Sequence, residues 1–132
     1  MDNACDDALA ACLTDPTPAR LRVLTGFGPA AYRRVTSIYY GRTPIPKPVS
    51  AAIRQRHSME IHDAWSVIVA AVALAHPDLF VADVAQMPRV GSLEVAVVGR
   101  IDRPEVRGLL ERWTDDSDEL VREHARAALE PG

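Results

Sequence analysis

The chain has 132 residues, a net charge of −3, 48% hydrophobic residues and 25% charged ones. That is one domain's worth of chain with enough apolar matter for a real core, and it excludes a disordered or low-complexity polymer. Aromatic residues make up only 5%, so Ala, Leu and Val must fill the interior, which suits closely packed helices better than a β-sandwich.

The first segment, Ala4 to Leu13, predicts an amphipathic helix with Leu9, Leu13, Cys5 and Cys12 on its apolar side. The cysteines are seven residues apart. On one helix they share a face but lie about 10 Å apart along the axis, too far for a mutual disulfide. Two reduced thiols and an acidic start without the basic head of a signal peptide lead to the expectation of a cytoplasmic protein. Acidic neighbours Asp6 and Asp7 disfavour a reactive thiolate.

A helix from about Thr17 to Thr25 follows, then Gly26-Phe27-Gly28, then a helix from Pro29 to Tyr40 that Gly41 ends. Gly26 to Ala31 fits the dinucleotide fingerprint G-x-G-x-x-A. No acidic residue follows before Glu60 to bind a ribose, so the glycines read as a helix–turn–helix corner. Pro44, Pro46 and Pro48 alternate, predicting a stiff extended loop over 42–49 with Ser50 capping the next helix. That helix is expected to break near Ser58. From Ile61 to His76 the chain is apolar nearly all round, the pattern of a central buried helix, and its longest apolar run, 64–75, is short for a membrane span.

Pro77 to Gln86 predicts another helix, ended by Pro88 and Gly91. Ser92 then caps Leu93 to Ile101. Val95, Val97 and Val98 would suit a strand, but the surrounding pattern calls for a helix there. In Pro104 to Thr114, Val106, Leu109, Leu110 and Trp113 fall at i, i+3, i+4 and i+7. Ala31, Val35 and Ile38 hold three of the matching positions after Pro29. The acidic turn over 114–118 supplies caps for a last helix with Leu120, Val121, His124, Ala125, Ala128 and Leu129 as its stripe. Residues 14–22 echo 114–122: Asp15 with Asp115, Thr17 with Ser117, Leu21 with Val121, Arg22 with Arg122.

The order Gly99-Arg100-Ile101, Asp102, Arg103, Pro104, Leu109-Leu110, Asp115/Asp116, Ser117, Asp118, Val121-Arg122, Ala125, Ala128 and Leu129 resembles HEAT-like repeats, closest to the short repeats of the bilin-lyase type. The resemblance implies an all-α fold, a small α-solenoid of stacked antiparallel helix pairs. It implies one domain over 1–132, with N-terminal helices over 1–41, the Pro-rich loop over 42–49 and the HEAT-like core over 50–132. It also implies that the helices around Ser92 to Ile101 and Glu119 to Glu130 line a concave surface, making Glu94, Arg100, Arg122, Glu123 and Arg126 candidate contacts.

Charge supplies the other functional signal. No acid occurs from Pro16 to Met59, where Arg20, Arg22, Arg33, Arg34, Arg42, Lys47, Arg54 and Arg56 give eight cations. From Glu60 onward acids outnumber bases fourteen to seven. Arg33, Arg34 and Arg42 flank Tyr32, Tyr39 and Tyr40, a composition shared by protein interface anchors and nucleic-acid contacts. The plainer alternative is that these arginines solvate one face and pair with the acidic half. His57, Glu60 and His62 make a poor metal site, because residues five apart on a helix diverge by about 140°. No metal, cofactor or catalytic constellation is expected. The reading is a non-enzymatic adaptor that binds another protein. Nucleic-acid binding through Arg20–Arg56 and a toxin-neutralising or enzyme-regulating docking role are the alternatives.

Overall fold

The computed structural model describes residues 4–130, in which nine α-helices occur and no strand. They are α1 (Ala4–Thr14), α2 (Pro18–Thr25), α3 (Pro29–Tyr39), α4 (Lys47–Arg54), α5 (Ser58–Ala75), α6 (Pro77–Gln86), α7 (Ser92–Val98), α8 (Pro104–Trp113) and α9 (Glu119–Leu129). The chain is all-α, and Ser92–Val98 is helical despite its three valines.

Proline sets several of the starts. Pro18, Pro29, Pro77 and Pro104 each open a helix, where the N–H they lack has no intrahelical partner. Gly28 precedes Pro29 with φ at 72°, a left-handed conformation that costs glycine little, so Gly26 to Gly28 form a helix–turn–helix corner. The Pro-rich segment is shorter than its sequence suggests. Pro46 is the N-cap of α4 and Pro48 lies inside the first turn, where proline is tolerated. Ser50 is not a cap; its N–H donates to Pro46 O at 2.9 Å as the first bonds of the helix form.

The residues cluster into two compact units, Met1–Ala75 and His76–Gly132. Thus α4 and α5, assigned by sequence to a core beginning at residue 50, pack instead with the N-terminal helices. In the first unit α1 is the hub. It meets α2, α3, α4 and α5, and its largest contact is with α4, three elements away. Leu9, Cys12 and Leu13 are wholly buried there. The predicted α3 stripe of Ala31, Val35 and Ile38 is buried as well. Helix α5 buries one face only: Ala64, Ile68, Val69, Val72 and Ala73 point inward while Val67 is exposed. It begins at Ser58, before the apolar run, and so is long and apolar enough by composition to cross a membrane, a test that the core helix of a folded unit also passes.

The second unit is built differently. Helix α6 packs on α8, α7 packs on α9, and α8 pairs with its sequence neighbour α9. All four predicted stripe residues of α8 are buried. In α9 only Val121 and Ala125 are, and Leu120 is exposed. Gly99, just past α7, sits so close to α9 that a Cβ on it would lie 2.9 Å from the Cβ of Ala128. The acidic turn works as its sequence suggests. Asp118 accepts from the N–H groups of Leu120 (2.9 Å) and Val121 (3.2 Å), and Asp116 accepts from Asp118 N–H (2.8 Å). The echo with residues 14–22 holds only loosely: Thr17 caps α2 but Asp118, not Ser117, caps α9, so the two registers differ by one.

Candidate functional site

Three of the eight cations between Pro16 and Met59 are spent on α1. This helix has no basic residue in its last turn. Its C-terminal carbonyls are instead met from a distance: Arg20 donates to Ala11 O (3.0 Å) and Asp15 O (3.3 Å), and Arg56 donates to Leu13 O (2.7 Å). Arg34 grips Asp6 with two parallel bonds of 2.8 and 3.1 Å. Asp6 is only 8% exposed, and this pairing raises the Arg34 pKa further above its already high value, the hydrogen bond that Arg34 donates to Asp6 being the main cause. Arg34, a sequence candidate for partner contact, is therefore a structural residue. The partners of these three arginines lie within the N-terminal unit; only Arg56 also reaches an acid of the later stretch, Glu60 at 2.9 Å.

The remaining cations differ. Among the described residues no carboxylate is within ion-pair distance of Arg22, Arg33, Arg42, Lys47 or Arg54. Arg42 instead lies over the ring of Tyr40, 5.4 Å from its centroid. Tyr40 meets Tyr39 edge-on at 5.0 Å, and Tyr39 meets Trp65 of α5 at 5.5 Å. All three rings are half-buried, and Arg42 is exposed. Arg33, exposed, is seven residues before Tyr40 and so lies on the same side of α3, about 10 Å along its axis. Tyr39, Tyr40 and Arg42 are thus brought together as a cation-topped aromatic patch, with Arg33 two turns back along α3. Trp65 belongs to it too. Sequence reading missed Trp65 because its link to Tyr39 spans 26 residues; only its place on the less buried side of α5 hinted at it.

The candidates of the second unit divide. Glu94 is 7% exposed, and its Oε1 accepts from the Gly91 N–H at 2.6 Å, finishing the start of α7. It is buried and helps to hold the start of the helix. Arg122 donates to Asp116 O (2.8 Å) and Ser117 O (3.1 Å), and Arg126 reaches Thr114 O at 3.4 Å, so both clasp the acidic turn. Arg100 and Glu123 remain exposed.

The residues that most resemble catalytic groups are occupied or suppressed. Burial pushes the Cys12 thiol up to about 11, with nearby Arg20 only partly opposing it, so burial rather than the acidic neighbours keeps it protonated. Glu60 is held below the usual carboxylate range by its hydrogen bond and ion pair with Arg56 at 2.9 Å. His57 Nδ1 accepts from the Met59 N–H at 3.3 Å. Among the described residues no group of three potential ligands that could hold a metal ion occurs. No family model matches this chain, and no curated protein or solved structure shows significant similarity to it.

Proposed function

We propose that the chain is a non-catalytic, HEAT-like interaction module that docks an acidic protein surface on the patch of Tyr39, Tyr40, Trp65, Arg42 and Arg33. The observation that carries this is the exposed guanidinium of Arg42 on a chain of three half-buried rings, without a carboxylate partner. Tyr, Trp and Arg anchor protein interfaces because they bury large area at small entropic cost and carry a polar tip. The pairing of α8 with α9 and the packing of α7 on α9 support a HEAT-like hairpin with one further helix laid on it, although α6 meets α8 rather than forming a hairpin with α7. The hub arrangement around α1 would then be a distinct head that carries the binding patch.

A protein partner is favoured over nucleic acid by the charge balance. Eighteen acids against fifteen bases give no overall basic field, and three of the eight clustered cations serve α1. The test is partner capture from source cells with wild type and an Arg33→Glu/Arg42→Glu variant, followed by binding measurements with the recovered protein. Trp65 provides a local fluorescence reporter in a Trp113→Phe background. The expected result is a protein held by the wild type and bound at least about tenfold more weakly by the variant, with a change in Trp65 emission. Salt-sensitive binding of a mixed oligonucleotide, with no protein retained, would replace this reading with the nucleic-acid one.

A further inference from the structure

Between α6 and α8 runs an open groove of about 500 Å³, well away in sequence from the aromatic patch. Each helix lines it with residues at i, i+3, i+4 and i+7: Asp78, Val81, Ala82 and Ala85 on one side, Glu105, Gly108, Leu109 and Arg112 on the other. Its floor is apolar, supplied by Val81 and Leu109, which are nearly buried. Its walls are small, since Ala82, Ala85 and Gly108 are all exposed.

Gly108 is the unexplained residue. It occupies the middle of α8, where glycine is the poorest helix former after proline. A Cβ placed on it would meet nothing within 4 Å, so packing inside the chain does not require glycine there. A second backbone crossing close to α8 at that point would.

The charges say what that second backbone is. Acids sit in the first turns of both helices, Asp78 and Glu105, and Arg112 sits in the last turn of α8. Among the described residues Arg112 and Asp78 have no ion-pair partner. Glu105 and Arg112 lie symmetrically about Gly108 and Leu109, two helical turns apart, roughly 10 Å along the axis. Two copies of α8 crossing antiparallel at Gly108 would therefore set Glu105 of each copy beside Arg112 of the other. We propose that this groove docks a second copy of the chain, forming a twofold dimer about the α8–α8 crossing. Glu105 is now paired with Arg103 at 2.8 Å, but both side chains are over 40% exposed, and such a pair exchanges readily.

Sedimentation equilibrium of the full chain over a range of concentrations tests this. The expected result is a reversible monomer–dimer equilibrium that Arg112→Glu weakens by about tenfold or more. The double variant Glu105→Arg/Arg112→Glu should restore it, because the swap rebuilds both cross-pairs. Gly108→Ala should raise the thermal midpoint of the dilute monomer while weakening association, which a merely structural glycine would not do. A chain monomeric at every concentration overturns the proposal, and so does a dimer that Arg112→Glu leaves unchanged. Neither result bears on the aromatic patch, whose binding is read by the Trp65 signal.

Discussion

The two units hold themselves together by different means. In Met1–Ala75 a single helix, α1, touches four others, and arginines 9 and 43 residues from the carbonyls they meet finish its end. In His76–Gly132 the contacts are spread over α8 with α9, α7 with α9 and α6 with α8, and short-range devices finish the helices: Asp118 for α9, Glu94 for α7. The first is a central-post design, in which one element's loss exposes every neighbour. The second has no such post: its largest contact joins sequence neighbours, α8 and α9, so the loss of one contact should spread less far.

Four substitutions press on that contrast. The largest effect is expected from Leu9→Ala. Leu9 is wholly buried on the hub helix, so the cavity should cost about 2–5 kcal/mol and lower protection from hydrogen exchange in α2 to α5 together. If only α1 lost protection, the hub description would fail. Gly99→Ala comes next. The new methyl would press on the Ala128 Cβ at 2.9 Å, two rigid atoms with little room to yield, at a cost of about 1–3 kcal/mol in chemical denaturation. Ala128→Gly in the same chain should recover part of it; no recovery would mean the strain lies elsewhere. The smallest effects concern the caps. Asp118→Ala removes two accepted N–H bonds and a charge at the α9 start and should cost about 1 kcal/mol. Thr17→Ala removes one bond of 3.2 Å at α2 and should cost less, roughly half as much. Equal losses would show that local capping matters alike in both designs.

Much of the fold is legible in the sequence because the relevant signals are local. Proline openings at 29, 77 and 104, the acidic turn before α9 and the Val106–Trp113 stripe all act within one or two helical turns. The Pro-rich segment misleads for a physical reason: alternating prolines favour an extended chain, but proline is tolerated in the first turn of a helix, so Pro46 can cap α4 and Pro48 can sit inside it. The candidate site was legible as composition only. Arg33, Arg34 and Arg42 look equivalent along the chain, and Asp6, 28 residues earlier, separates one from the others. Glu94 reads as an outward polar residue because helical periodicity says nothing of a side chain folding back on its own N-terminus.

The distant finishing of α1 also bears on the order in which the protein can be made. Its closing carbonyls wait for Arg20 and then for Arg56. A chain released only as far as residue 50 has the post without its last clasp and without all of α4, the helix it meets most extensively. Completion of α1 therefore depends on segments more than forty residues further along the chain, contacts of high sequence separation that are slow to form.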